Sequence, residues 1–327
     1  MKVLVYNMRD YDEKRWFDFY SRELGIEYSV CYDDPSLENA CLAEGCSCLS
    51  VITPRIPAEL VQSFYDRGVR YISTRTIGYD HIDIKKCREL GIRVGNAVYG
   101  PEGVAEYTIM LMLMSIRKMK RIMQRAEIQD FTLKGNQGRE LHDFTVGVLG
   151  TGRIGRTVVK LLQGFGCKVL AYDRYPCDEV KQYVDYVSLD EILRRSDLIS
   201  LHMPLFDDTF HIIDEEAISR MKEHAVIVNT GRGALIDSDA LIAGLESGKI
   251  GAAGLDVVEQ ESGLYYNDLK FEPLANRQLA ILRGFPNVIV TPHMAFYTEN
   301  AVGDMVGHSM KSCKCFMTGQ DNPWEVK

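Results

Sequence analysis

A chain of 327 residues is long enough for about two domains, and 46% apolar residues suffice for buried cores. The net charge is −8 with no basic tract or arginine-rich helix, which argues against nucleic acid as a partner. MKVLVYNMRDYDEK reads as a first strand rather than a signal peptide, and the apolar run around TIMLMLMS is far short of the ~20 residues that span a bilayer. A cytoplasmic protein with no membrane partner is the expectation.

The nine cysteines, at 31, 41, 46, 48, 87, 167, 177, 313 and 315, are scattered. Neither Cys46-x-Cys48 nor Cys313-x-Cys315 has the spacing or the histidine partners of a zinc site, so free thiols and no metal are expected.

In chain order, strands and helices alternate from end to end. That predicts an α/β fold of parallel sheets covered by helices. KVLVYNM leads into an acidic, aromatic helix over 10–24 with no glycine turn between them, so this first unit lacks a phosphate-binding device. Strands are predicted at CLSVI, RYISTR and IRVGNA. A long helix follows from Pro101 to about Arg121, with proline in its first turn. Its methionines (Met110, Met112, Met114, Met119, Met123) fit buried packing or an adaptable subunit interface.

VGVLGTGRIGRTVVKLL (146–162) and KVLAYD (168–173) then spell strand, glycine turn, helix, strand and acidic terminus. Gly150 permits the tight turn, Gly152 lets the backbone approach a pyrophosphate, and Gly155 allows close helix–strand packing. The helix start offers unpaired N–H groups to the phosphates, and Asp173 stands where a carboxylate binds ribose hydroxyls. The pattern predicts a bound dinucleotide, with NAD favoured over NADP because a carboxylate repels a 2′-phosphate.

Further alternation runs through LISLHMP, AVIVNTGRG, a helix over 237–247, IGAAGLDV and NVIVTPH, and ends in a helix over 298–318. The closing helix can return the chain to the first domain. The expected split is 1–100 with 298–327, against 101–297.

Ligands bind outside the carboxyl ends of such strands. NTGRGALID places Arg232 in a glycine-flanked loop after a strand. GLDVVEQE places Asp256 at a strand end and Glu261 just beyond it, with Glu259 as the competing carboxylate. VTPHMAFYTE places His293 after the last strand. Guanidinium binds a carboxylate and polarises a carbonyl, imidazolium donates a proton, and a carboxylate orients the ring and favours its charged form. Those groups suit carbonyl reduction by hydride transfer. His202 reads as structural or cofactor-adjacent. His81, His142, His211, His224 and His308 show no constellation.

RTIGYDHID (75–83), GNAVYGPEGVAEYT (95–108), TVGVLGTGRIG (145–155), LHMPL (201–205), VNTGRGALID (228–237), AAGLDVVEQE (252–261) and TPHMAFYTENAV (291–302) together resemble the D-2-hydroxyacid dehydrogenase family over essentially the full length. The likeness is to its D-lactate dehydrogenase branch, the enzymes of vancomycin-resistance operons included. The resemblance implies a Rossmann-type NAD domain plus a flavodoxin-like substrate domain, and a homodimer. Arg232, Glu261 and His293 match the family's catalytic set, with Asp256 as an accessory that would sit near the nicotinamide and help to hold the histidine. Backbone N–H groups at Ile77 and Gly78 would bind the substrate carboxylate, and Tyr99, Phe296 and Tyr297 would border its side chain. Arg153 and Ile154 would lie over the pyrophosphate, Met203 and Pro204 on the adenine and ribose side, and Thr230 on the nicotinamide side. The resistance-operon relatives lack an acidic residue at the position of Asp173, and many relatives carry tyrosine where Phe296 stands.

The implied activity is NADH-dependent reduction of a 2-oxoacid to the D-2-hydroxyacid, most simply pyruvate to D-lactate. Aromatic or branched oxoacids (phenylpyruvate, 2-oxoisocaproate) are the alternative. The non-enzyme alternative is a NAD(H)-sensing, corepressor-like binding protein with the same fold and residue set.

Overall fold

The computed structural model describes residues 1–261 and 263–326. Its strands form two sheets, and the chain divides into two compact units: residues 1–100 with the segment from Tyr297 onward, and residues 101–296. Both doubly wound parallel sheets expected from the alternation are present.

The first unit holds β1 (Lys2–Tyr6), β2 (Glu27–Cys31), β3 (Cys48–Val51), β4 (Tyr71–Thr74) and β5 (Arg93–Asn96) in the order β2-β1-β3-β4-β5. That is the flavodoxin-like order. Its helices are α1 (Lys14–Leu24), α2 (Ala58–Asp66) and α3 (Ile84–Leu90). Alternation along β1 divides the core. Val3 and Val5 pack with Phe17 and with Val306, Met310 and Cys313 of the closing helix, whereas Leu4 and Tyr6 pack with Leu60, Val61 and Phe64.

The second unit begins with α4 (Glu102–Ile116) and α5 (Met119–Glu127). The single helix expected over 101–121 is broken, because Lys118 adopts a left-handed φ of 55° that ends one helix and starts the next. The sheet contains β6 (Thr145–Leu149), β7 (Lys168–Tyr172), β8 (Asp185–Tyr186), β9 (Leu198–Leu201), β10 (Ala225–Asn229), β11 (Ile250–Leu255) and β12 (Val288–Val290). Read from β8, its order is β8-β7-β6-β9-β10-β11-β12, the dinucleotide-binding order, with the switch point between β6 and β9. Its covering helices are α6 (Arg153–Gln163), α7 (Leu189–Arg195), α8 (Glu215–Arg220), α9 (Ser238–Ser247) and α10 (Arg277–Gly284). The closing helix is α11 (Glu299–Thr318), capped by the Thr298 hydroxyl and packed on β3, β4 and β5 of the first unit.

No helix among the described residues is long and apolar enough to cross a membrane. All nine cysteines are free thiols, and no three metal-ligating side chains cluster among the described residues.

Candidate active site

The glycine turn sits at the switch point. Gly150 has φ 93°, and a Cβ at Gly155 would collide with the carbonyl oxygen of Gly150, so the crossing of β6 and α6 tolerates no side chain there. A Cβ at Gly152 would meet nothing within 4 Å, which leaves the open approach a pyrophosphate needs. Arg153 and Ile154 open α6, whose first turn carries no acidic residue, unlike α7, α8 and α9. The helix start is thus open to an anion. Asp173 accepts the Thr151 N–H at 2.5 Å, the Thr151 hydroxyl at 3.1 Å and the Tyr175 N–H at 2.8 Å. Its carboxylate braces the turn and keeps lone-pair capacity for a ribose hydroxyl. These residues fit NAD.

His202 lies against the same turn. Burial pushes its imidazole down to about 3, and Nε2 is 2.8 Å from the Ser200 hydroxyl, so the ring is neutral near pH 7. Met203 is half-buried and Pro204 exposed, its carbonyl accepting the Thr209 hydroxyl. Thr230 is buried, and its hydroxyl is 2.8 Å from that of Thr108 on α4.

Arg232, Asp256 and His293 follow three adjacent strands, β10, β11 and β12. Buried Asn229 ends β10 and wraps the arginine loop: its side chain donates to the Arg232 carbonyl at 2.8 Å and accepts the Gly231 N–H at 3.0 Å. Asp256 is wholly buried. Its carboxylate accepts the Thr291 hydroxyl at 2.6 Å and the N–H groups of Met294 and Ala295, both at 2.8 Å. Through these bonds Asp256 shapes the loop that carries His293.

That loop holds His293 at φ 53°, with its N–H on the Asp256 carbonyl at 2.8 Å. His293 Nδ1 lies 2.6 Å from Glu261 Oε1. Glu261 Oε2 accepts the Val258 N–H at 3.1 Å, which fixes the carboxylate before the imidazole arrives. Glu259 turns away and pairs with His211 at 2.7 Å. Of the two carboxylates in EQE, Glu261 is the one that reaches His293. Phe296 stands edge-on to His293, the ring centres 6.2 Å apart. Tyr266, which sequence reasoning missed, donates its hydroxyl to the His293 carbonyl at 2.9 Å. Asn229, Thr291 and Tyr266 are generic residue types whose partners lie elsewhere along the chain, so no local signal marks them.

In the first unit, the Asn96 side chain donates to the Ile77 carbonyl at 2.7 Å. In a trans peptide the N–H of Gly78 then points the opposite way. The Thr76 hydroxyl holds the Gly78 carbonyl at 2.6 Å. Tyr99 follows β5 and is half-buried. The Tyr297 hydroxyl donates to Asp12 at 2.7 Å, and burial, followed by that bond, pushes the phenol up to about 12.

A dinucleotide cradle at the switch point, with a histidine–carboxylate pair and an arginine loop on neighbouring strand ends, defines an NAD-dependent oxidoreductase. Residues 109–295 match the family model described as D-isomer specific 2-hydroxyacid dehydrogenase, NAD binding domain. The chain is 44% identical to a D-specific alpha-keto acid dehydrogenase of Enterococcus faecium over 98% of both chains. It is 41% identical to an aromatic 2-oxoacid reductase of Clostridium sporogenes over 94% of this chain and 93% of that one. A solved D-lactate dehydrogenase from Treponema pallidum superposes with TM-score 0.91 at 34% identity, covering all of both chains. The chain belongs to the D-isomer specific 2-hydroxyacid dehydrogenase family, and its cofactor is NAD.

Proposed function

We propose that the chain reduces pyruvate to D-lactate with NADH. The observation that carries this reading is the Glu261–His293 pair at the strand end next to the Arg232 loop. When bound, the nicotinamide supplies the hydride. Arg232 binds the oxoacid carboxylate and polarises the carbonyl. The Nδ1 bond to Glu261 leaves Nε2 of His293 as the atom that protonates the carbonyl oxygen, and the carboxylate stabilises the imidazolium. Asp256 holds the histidine loop. We assign cofactor binding to the unit 101–296, and to the other unit the substrate contacts at Ile77, Gly78, Tyr99 and Tyr297.

Phe296 in place of tyrosine makes one wall of the site more apolar and favours a second reading, a reductase of aromatic or branched oxoacids; the Clostridium relative supports it. The test follows NADH absorbance with pyruvate, phenylpyruvate, 2-oxoisocaproate, glyoxylate and hydroxypyruvate. Pyruvate is expected to give the highest kcat/KM. A higher value for phenylpyruvate transfers the assignment to the second reading, and no oxidation with any of them favours a NAD(H)-sensing binding protein. NADH should exceed NADPH, and Asp173→Ser should narrow the gap.

A homodimer is part of this proposal. The methionine row divides: Met112 is fully buried in the core, whereas Met110, Met114 and Met119 line an apolar groove of about 640 Å³ with Leu113, Leu161 and Phe165. Met110→Glu should loosen the dimer in sedimentation while leaving the fold intact.

A further inference from the structure

A second histidine–carboxylate pair stands two residues from Glu261. Glu259 is held from three directions. Oε1 lies 2.7 Å from His211 Nε2, Oε2 accepts the N–H of Ser238 at the start of α9 at 2.9 Å, and its carbonyl accepts the Asn276 side chain at 2.8 Å. Asn276 is itself the cap of α10, accepting the Leu279 N–H at 2.8 Å. Gln260 then takes a left-handed φ of 53°, which turns the 259 and 261 side chains to different partners.

His211 joins the same anchor to the arginine loop. Its N–H donates to the Ala234 carbonyl at 2.9 Å, two residues beyond Arg232. Its ring stacks on Phe210, and Nδ1 lies 3.7 Å from Asp237, the N-cap of α9. His211 also has a left-handed φ, 51°. Between the two segments, a Cβ at Gly233 would collide with the Val258 carbonyl group, so the arginine loop and the EQE segment are in backbone contact.

Two non-glycine residues in left-handed backbone are strained unless their surroundings over-determine them. A partly exposed histidine–carboxylate contact contributes little to stability and does not repay that strain as a stability device. What the arrangement does accomplish is to set where residue 261 begins. We infer that Glu259 and His211 are positioning residues for Glu261: the pair locks the 258–261 segment to the arginine loop and to the starts of α9 and α10, and so presents the Glu261 carboxylate to His293. This rests on the reductase reading for its kinetic arm only. Among the described residues, the charged and titratable groups around the two pairs include Glu259 and Asp237 at His211, Glu261 and Tyr266 at His293, Tyr265 near Glu261, and Asp256 beneath the His293 loop.

The test compares wild type with Glu259→Gln, with His211→Asn, whose new residue tolerates left-handed backbone, and with Glu261→Gln and the Glu259→Gln/Glu261→Gln double variant. With the best oxoacid substrate, each single variant at 259 and 211 should lose about tenfold in kcat, with NADH affinity and oxoacid KM within about twofold of wild type. The kcat–pH profile should change in the same way as in Glu261→Gln, because both changes disturb the same carboxylate–imidazole contact. The double variant should match Glu261→Gln in kcat and in pH profile. An arm independent of turnover reads the downfield Nδ1–H proton resonance of His293, assigned by its loss in His293→Gln. In His211→Asn and Glu259→Gln it should move upfield or broaden. An unchanged profile and an unmoved resonance in both variants overturn the positioning role, as does a double variant that loses a further tenfold. If no oxoacid is reduced, the reductase reading fails and the resonance alone decides the positioning role.

Discussion

Each unit contains a close pairing of a basic side chain with a carboxylate, and the two are built in opposite ways. In the first, Arg75 and Glu13 are both fully buried, with Arg75 Nε 2.8 Å from Glu13. The guanidinium also donates to the Ser50 hydroxyl and to the carbonyls of Tyr6 and Asn7, and lies over the Phe17 ring. Burial pulls Arg75 below its usual range, and Glu13 opposes the pull. In the second unit, His293 and Glu261 keep 30% and 26% of their side-chain surface. The first pair is surrounded by further hydrogen-bond partners inside the protein; the second fixes one nitrogen of a partly exposed ring. The lesson is that satisfaction, more than distance, separates the buried pair from the one we propose as catalytic, since the two contacts differ by only 0.2 Å.

The contrast breaks most sharply at the histidine. His293→Gln should cut kcat roughly 100- to 10,000-fold, the range for a lost general acid, while the thermal midpoint stays near wild type. A large drop in the midpoint would show that this pair too is structural. Glu13→Gln should do the reverse, leaving a buried guanidinium without its counter-charge at a cost of about 3–5 kcal/mol. Denaturant melts measure that loss, and the kcat of the folded fraction should be unchanged.

His202 sharpens the comparison from a third side, as a half-buried imidazole with no ion partner among the described residues. Its folded value of about 3 lies below the ordinary 6.5, so the unfolded chain binds the extra proton between those values. Its contribution to stability is complete above pH 6.5 and is lost as pH falls toward 3. Thermal midpoints from pH 7.5 to 4.5 should decline more steeply in wild type than in His202→Gln; equal slopes would remove His202 as a source of acid sensitivity. This is the smallest of the three effects.

The dinucleotide unit was legible because local rules agree there: a β-branched strand, three glycines at fixed spacing and an amphipathic helix all point to one structure. The edge strands β2 and β8 were not, since EYSVC shows mixed polarity and β8 is only two residues long. The break at Lys118 carries no glycine or proline to announce it. At the site, Arg232, Glu261 and His293 stand out by residue type and strand-end position. The sequence alone favoured Glu261 over Glu259, and the geometry gives each its own histidine. His211 looked featureless because its partner lies 48 residues away. Asp256 was legible as a residue of the site, but its partners were not: a buried carboxylate takes the nearest unpaired N–H groups, and those belong to the loop that follows β12.

The unit completed by α11 sets a timetable for synthesis. Val3, Val5, Cys48 and Tyr71 need Val306, Met310 and Cys313 to cover them, yet roughly 200 residues of the other unit are translated in between. At about 5–20 residues per second, that apolar sheet face waits on the order of 10–40 s for its helix. The contiguous unit can close during this interval, so the nascent chain passes through a stage with one finished half and one half that offers a sticky surface to chaperones.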